Sequence, residues 1–396
     1  MKKIIKNILR FFRNILVNIF RIFPLRNAIL FESFPDFTDN VYWWCNYLEK
    51  KGIENKYKLY WIVKDHTITK APNGWNIKLI YLDPKNPIEF IKKYYVIFTV
   101  KFIFDGCVFV NKRRKKQVRM YLHHGTPIKR IDTYFDPFKG YDGIEIQSDW
   151  FAPFFMEYGL DPAKFTTFGL VRNDQLKSNV GFLRSNGYAR PDEKIIIWLP
   201  TFRQRKDHTS MNAIAFDGSF YGLPIIKTPE DMKVVNNHLK EKKVIIIIKP
   251  HPSQDMSCFN VDDLSNIKVI TSPEMAQKNV QLYDILGETD GMLSDYSSVY
   301  FDYLLTDKPI GLTCDDIVVY RNKTGFSFDN YKDTTFEGNI KGTYIYKVED
   351  FLKFIDQVDS GYVSDEQKEA KYTFNHYVDF KSGDRLYNYM KEKYDL

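Results

Sequence analysis

From residue 28 onward the chain alternates between short apolar runs and longer amphipathic stretches, the rhythm of strands and helices taken in turn. Apolar runs at 28–31, 58–63, 78–81, 95–100, 118–123 and 143–146 predict strands in the first half, and stretches such as 40–51 suit helices. The second half opens with the run IIIWLP after Lys194 and continues with runs at 244–250, 267–270, 291–294 and 309–312. Short β-branched runs each followed by a helix mean parallel sheets. The segment 178–192 carries Gly181, Gly187 and Pro191 and is the expected linker. The prediction is an α/β chain of two doubly wound domains, 24–185 and 186–396, facing across a cleft with ligands at the carboxyl ends of the strands.

The first 23 residues follow a different period. On a helix, Ile4, Ile5, Ile8, Leu9, Phe12, Ile15, Leu16, Ile19 and Phe23 share one half, while Lys2, Lys3, Lys6, Arg10, Arg13 and Arg21 share the other; Pro24 ends the pattern. Basic residues recur too often for a spanning segment, and no uninterrupted apolar core or cleavage site marks a signal peptide. The expectation is a basic amphipathic helix over 1–23 lying on an anionic membrane surface, the alternative being a helix packed on the protein's own core.

Composition changes the picture in two places. The net charge of +7 invites a nucleic-acid reading, but the excess gathers in that first segment, before the first acid at Glu32, and no stacking aromatic motif accompanies it. A shorter basic run, KRRKK at 112–116, reads as a solvated loop or a phosphate- or lipid-facing patch. The four cysteines, Cys45, Cys107, Cys258 and Cys314, are widely spaced, which argues against a zinc knuckle or disulfide framework and for a reducing cytoplasm.

Candidate chemistry falls just after predicted strands, in five clusters. In HHGTPIK, Gly125 permits a tight turn, Thr126 offers a hydroxyl, Lys129 a cation, and His124 can carry a proton near neutral pH. FGLVRND presents Arg172 beside Asn173 and Asp174; LPTFRQR presents Thr201, Arg203 and Arg205. An arginine fork matches phosphate oxygens, although a salt bridge to a nearby acid explains each arginine equally well. In KPHP, prolines on both sides aim His251. In SDYSSVYFD, Ser297 or Ser298 is suited to cap a helix whose free amides would attract an anion, and capping alone leaves Asp295 and Asp302 unexplained.

These motifs, HGTPIK, LVRND, LPTFR, KPHP and SDYSSVYFD, in this order, resemble the CDP-glycerol glycerophosphotransferase family of teichoic-acid and capsule synthesis. The resemblance implies two Rossmann-like domains of the GT-B type, the first on the acceptor side and the second binding the CDP-alditol. It implies that His124 is the general base and that His251 assists at the phosphate. It further implies donor contacts at His124, Gly125, Thr126, Pro127, Ile128, Arg172, Pro200, Thr201, Lys249, Pro250, His251, Ser297, Ser298 and Asp302. Ile128 and Val171 depart mildly from the family pattern, and neither removes a reactive group.

On that resemblance, an acceptor hydroxyl attacks the phosphorus next to the alditol, His124 takes its proton, and CMP departs. CDP-glycerol is the expected donor, with ribitol left open. No closely spaced acid pair marks a metal site, so no tightly bound metal or other cofactor is expected, and any Mg²⁺ would come with the donor. The expected partners are the anionic membrane and a lipid-linked saccharide or polyol-phosphate polymer, with no nucleic acid; the expected location is peripheral, on the cytoplasmic face of the cell membrane. Two rivals remain: a GT-B enzyme using a nucleotide sugar, and a silent membrane scaffold.

Overall fold

The computed structural model describes residues 18–107, 109–126, 128–130, 140–201, 220–251, 254, 261, 264–329 and 335–396. Most of the segment expected as an amphipathic helix, together with Pro127, Arg203 and Arg205, lies outside the described residues.

Two parallel sheets organise the chain. The first contains β1 (Arg26–Glu32), β2 (Lys58–Val63), β3 (Ile77–Tyr81), β4 (Val100–Asp105), β5 (Val118–Tyr121), β6 (Gly143–Glu145) and β7 (Phe165–Thr166), in the order β3-β2-β1-β4-β5-β6-β7. The second contains β8 (Lys194–Leu199), β9 (Val244–Ile248), β10 (Ile267–Val269), β11 (Gly291–Ser294), β12 (Ile310–Thr313) and β13 (Thr343–Ile345), in the order β10-β9-β8-β11-β12-β13. The strand order reverses between β1 and β4 and again between β8 and β11. Those two crevices are the switch points at which ligand sites form in open α/β sheets.

The period of two explains the layers. Ile29 and Phe31 of β1 point into a cluster with Trp44, Trp61 and Phe104, where Phe31 stacks on Trp61 at 5.6 Å. Ala28 and Leu30, one residue out of phase, face the opposite layer with Val96, Ile97 and Ile103. Both faces are covered by helices, so β1 reads as a continuous apolar run.

The strand predicted at 95–100 is corrected. A helix, Pro87–Thr99, occupies that span, and the strand follows it as Val100–Asp105. The Asn86 side chain accepts from the Glu89 amide at 2.9 Å and Pro87 starts the first turn. That cap commits the following β-branched residues to the helix, where a short apolar run has no period of its own to reveal it.

The two halves are welded rather than merely adjacent. The last helix, Ser382–Tyr394, returns to the first sheet and buries Leu386 and Met390 in the cluster around Trp44. Each such side chain contributes about 1.5–3 kcal/mol. A second apolar cluster joins Ile144, Phe151 and Phe154 of the first half to Phe301 and Phe374 of the second, with Phe151 and Phe301 edge to face at 5.0 Å. The expected linker at 178–192 lies between β7 and β8 and includes the short helix Phe182–Ser185.

Candidate active site

His124 stands at the carboxyl edge of the first sheet, where β5 ends. Asn40 holds the turn from below, donating to the carbonyls of Leu122 at 3.0 Å and His123 at 3.1 Å. His123 has φ of +30° and is buried; desolvation, then Arg172 and His124, push its pKa down to about 3, so this ring stays neutral and structural. The exposed ring is that of His124. Its Nδ1 lies 3.1 Å from the Gly106 carbonyl, which can only accept, so in the neutral ring the proton sits on Nδ1 and the lone pair on Nε2. That is the tautomer a general base requires.

Gly125 lies at a close approach between the two halves. A Cβ built on it would lie 2.6 Å from Ser298 Oγ, so the absence of a side chain lets the HGTP turn seat on the SDYSS turn. Ser298 occupies the cap position of the helix Val299–Tyr303 without a side-chain bond, and the Ser297 hydroxyl accepts from the Val299 amide at 3.5 Å.

Arg172 and Asp302, both expected to contact the donor, are buried beneath the His124 turn and paired with each other. Arg172 is 2% exposed and Asp302 fully buried. One Arg172 nitrogen donates to Asp39 and, at 2.8 Å, to the His124 carbonyl; the other donates to Asp302 at 2.7 Å. Asp302 also accepts from Gln147 and Asn173, each at 3.0 Å, and from Tyr283. Charges taken out of water must be paired, and here they pair with each other. Thr126 joins the same network through its hydroxyl to Gln147 at 2.6 Å. Ile128 is buried and gives its carbonyl to the Ser327 amide at 3.1 Å. Asp39, Gln147, Tyr283 and Asn173 are the members sequence reasoning missed or left without a role; of these only Asn173, inside LVRND, carried a signal.

At the second sheet's switch point, Thr201 at the end of β8 donates its hydroxyl to Asp295 at the end of β11, at 2.6 Å, and its amide at 2.9 Å. Pro200 is buried beside it. This pair closes the crevice floor and accounts for Asp295 in the motif. Lys249 and Pro250 follow β9, and His251 beyond them is exposed. Lys249 reaches Ser272 at 3.3 Å and lines a cavity of about 480 Å³ between the halves, together with Asp39, Trp43 and Tyr283. Desolvation lowers its pKa to about 8. Among the described residues no group of three or more His, Cys, Asp or Glu is arranged to hold a metal.

The sequence model for CDP-glycerol:poly(glycerophosphate) glycerophosphotransferases matches residues 15–392. The chain belongs to this glycerophosphotransferase family. It is 24% identical over 365 residues to the teichoic acid glycerol-phosphate primase of Bacillus subtilis (strain 168), covering 85% of each chain. To the teichoic acid ribitol-phosphate polymerase TarL of Staphylococcus aureus (strain NCTC 8325 / PS 47) it is 23% identical over 309 residues, 72% of this chain and 49% of that one. The fold matches that of the wall teichoic acid polymerase TagF at a TM-score of 0.72, with 18% identity over 98% of this chain and 97% of that one. A TagF variant soaked with CDPG matches at 0.71 with 19% identity, over 98% and 96% of the two chains. The architecture is therefore of the GT-B type, and the family is one of glycerophosphotransferases that use CDP-glycerol.

Proposed function

We propose that the protein transfers glycerol phosphate from CDP-glycerol to a lipid-linked saccharide or polyol-phosphate chain in teichoic-acid or capsule synthesis. The observation that carries this reading is His124: an exposed imidazole with Nε2 free to accept, held by the Gly106 carbonyl beside the seam of the two halves. An acceptor hydroxyl gives its proton to Nε2 as its oxygen attacks the phosphorus bearing glycerol. The new P–O bond forms as the bond to the bridging oxygen breaks, and that electron pair leaves on CMP. Such chemistry is mostly positioning and charge stabilisation. Lys249 and His251, both following β9, supply positive charge for the splitting pyrophosphate. In this reading any Mg²⁺ accompanies the CDP-activated donor.

In this reading residues 24–185 form the acceptor side, residues 186–396 bind the CDP-alditol, and the last helix ties the two together. A peripheral position on the cytoplasmic face of the membrane completes it. Support comes from the basic start of the sequence and from an exposed apolar pair: Ile88 and Ile91 are 73% and 55% exposed on one face of the helix Pro87–Thr99. Tyr95 of that helix packs on Phe23 at 5.4 Å, and Arg21, Lys92, Lys115 and Lys116 are exposed. No helix among the described residues is long and apolar enough to cross a membrane.

The deciding experiment gives the purified protein CDP-glycerol and CDP-ribitol in turn, with a lipid-linked saccharide in anionic vesicles, and follows CMP. Acceptor-dependent release from CDP-glycerol is expected. Release from CDP-ribitol alone would change the donor, and release of UDP from a nucleotide sugar instead would overturn the reading.

A further inference from the structure

The first sheet has a switch point of its own, and two aromatic rings stand there. Phe34 follows β1 and Phe109 follows β4; their rings meet edge to face at 6.1 Å and remain 47% and 42% exposed. Lys64, immediately after β2, holds its ammonium 4.8 Å from the Phe34 ring centre and 5.7 Å from that of Phe109. No ion pair engages Lys64 among the described residues.

The arrangement is built from below. The Phe109 amide donates to the Glu32 carboxylate at 3.1 Å, and the Lys64 amide donates to Asp36 at 3.0 Å. The Cys107 thiol donates to the Phe34 carbonyl at 3.8 Å and its sulfur lies 3.9 Å from His124 Nδ1, so the chain that carries Phe34 is one side chain away from the His124 ring. Two rings kept in water beside a cation suit a ligand with an apolar C–H face and an anionic group. A phosphorylated sugar has both. The platform belongs to residues 24–185, the half that the reading above gives to the acceptor, whereas Lys249 and Ser298 belong to the half that binds the CDP-alditol.

We infer that Phe34, Phe109 and Lys64 form the acceptor subsite, with a sugar ring of the acceptor against the phenyl rings and its phosphate at Lys64. This rests on the transfer proposed above and adds to it the surface that binds the acceptor's saccharide phosphate. The subsite brings the accepting hydroxyl to His124 from the first-sheet side, opposite the donor.

The test is calorimetric binding of a short-chain alkyl disaccharide diphosphate to the full chain without donor. Phe34→Ala and Phe109→Ala should each weaken it by about 2- to 12-fold, the range of one aromatic contact. Phe34→Tyr should bind as wild type, whereas Phe109→Leu, which keeps apolar bulk without a ring face, should not. Lys64→Gln should flatten the salt dependence of binding. CDP-glycerol binding should be the same in all. Alanine variants that bind the probe normally would overturn the assignment, as would variants that lose vesicle or CDP-glycerol binding instead. Because binding is read without turnover, a wild-type protein that binds the probe but releases no CMP would sink the proposed transfer and leave the subsite standing.

Discussion

Arg172 and Asp302 meet at 2.7 Å across the seam of the two halves, and Arg172 uses its other nitrogen to hold the carbonyl of His124. One guanidinium thus ties the second half to the His124 turn of the first. Breaking a buried pair by removing one partner leaves the other charge stranded, at a cost of about 3–5 kcal/mol. Asp302→Asn should therefore lower the denaturation midpoint sharply. Arg172→Lys should not be conservative, because a single ammonium cannot serve Asp39, Asp302 and a carbonyl in one plane. An unchanged midpoint in both variants would remove the pair from the account of stability.

His124 makes the opposite prediction. Its ring is exposed, and among the described residues its polar partners are the Gly106 carbonyl and the Cys107 sulfur. His124→Gln should leave the melting transition near wild type while lowering the rate of CMP release by a factor of about 10² to 10⁴. A normal rate would end its assignment as the base.

The contrast between these residues shows what a sequence can carry. His124 and Arg172 sit in equally conspicuous motifs, yet one faces solvent and the other is enclosed. Type and spacing reveal that a residue follows a strand; they do not reveal which partners fold over it. Asp39 and Gln147 come from unremarkable stretches 133 and 25 residues before Arg172, and only tertiary contact recruits them. The doubly wound pattern was legible for a local reason, since short buried strands separated by helices need no distant information. Where a cap overrides an apolar run, as at Asn86 before 95–100, the same local reading fails.

Gly125 offers a test of the seam itself. A methyl group there would meet Ser298 Oγ at 2.6 Å, while Ser298 Cβ stays at 3.6 Å, an ordinary contact. Gly125→Ala should reduce CMP release, and adding Ser298→Ala should recover part of the loss by removing the colliding oxygen. Losses that simply add would mean that the two turns do not press on each other.

Membrane docking is testable on the exposed strip. Replacing Ile88 and Ile91 together by aspartate removes two apolar anchors and adds like charge to an anionic surface. Partition onto anionic vesicles should fall about 10-fold or more, from roughly 1.5 kcal/mol for each side chain that enters the interface. Sedimentation with vesicles at two salt concentrations reads both the apolar and the basic contribution. Equal partition would move docking elsewhere on the chain.

Lys249 predicts two pH effects of opposite sign. Burial alone lowers its pKa from 10.5 to about 8. Below about 8 the folded protein carries a desolvated charge that the unfolded chain holds at no cost. Between about 8 and 10.5 the unfolded chain binds a proton that the folded one lacks, so this group's contribution makes stability rise with pH across that window. Lys249→Met should be the more stable protein near neutrality, with the advantage shrinking as pH climbs towards 10.5. Donor binding should run the other way. As pH passes about 8 the ammonium facing the cavity is lost, and the KM for CDP-glycerol should increase in wild type but stay flat over the same range in Lys249→Arg, whose charge persists. A KM that rises identically in both would assign the titration to another group and leave Lys249 a structural role beside Ser272.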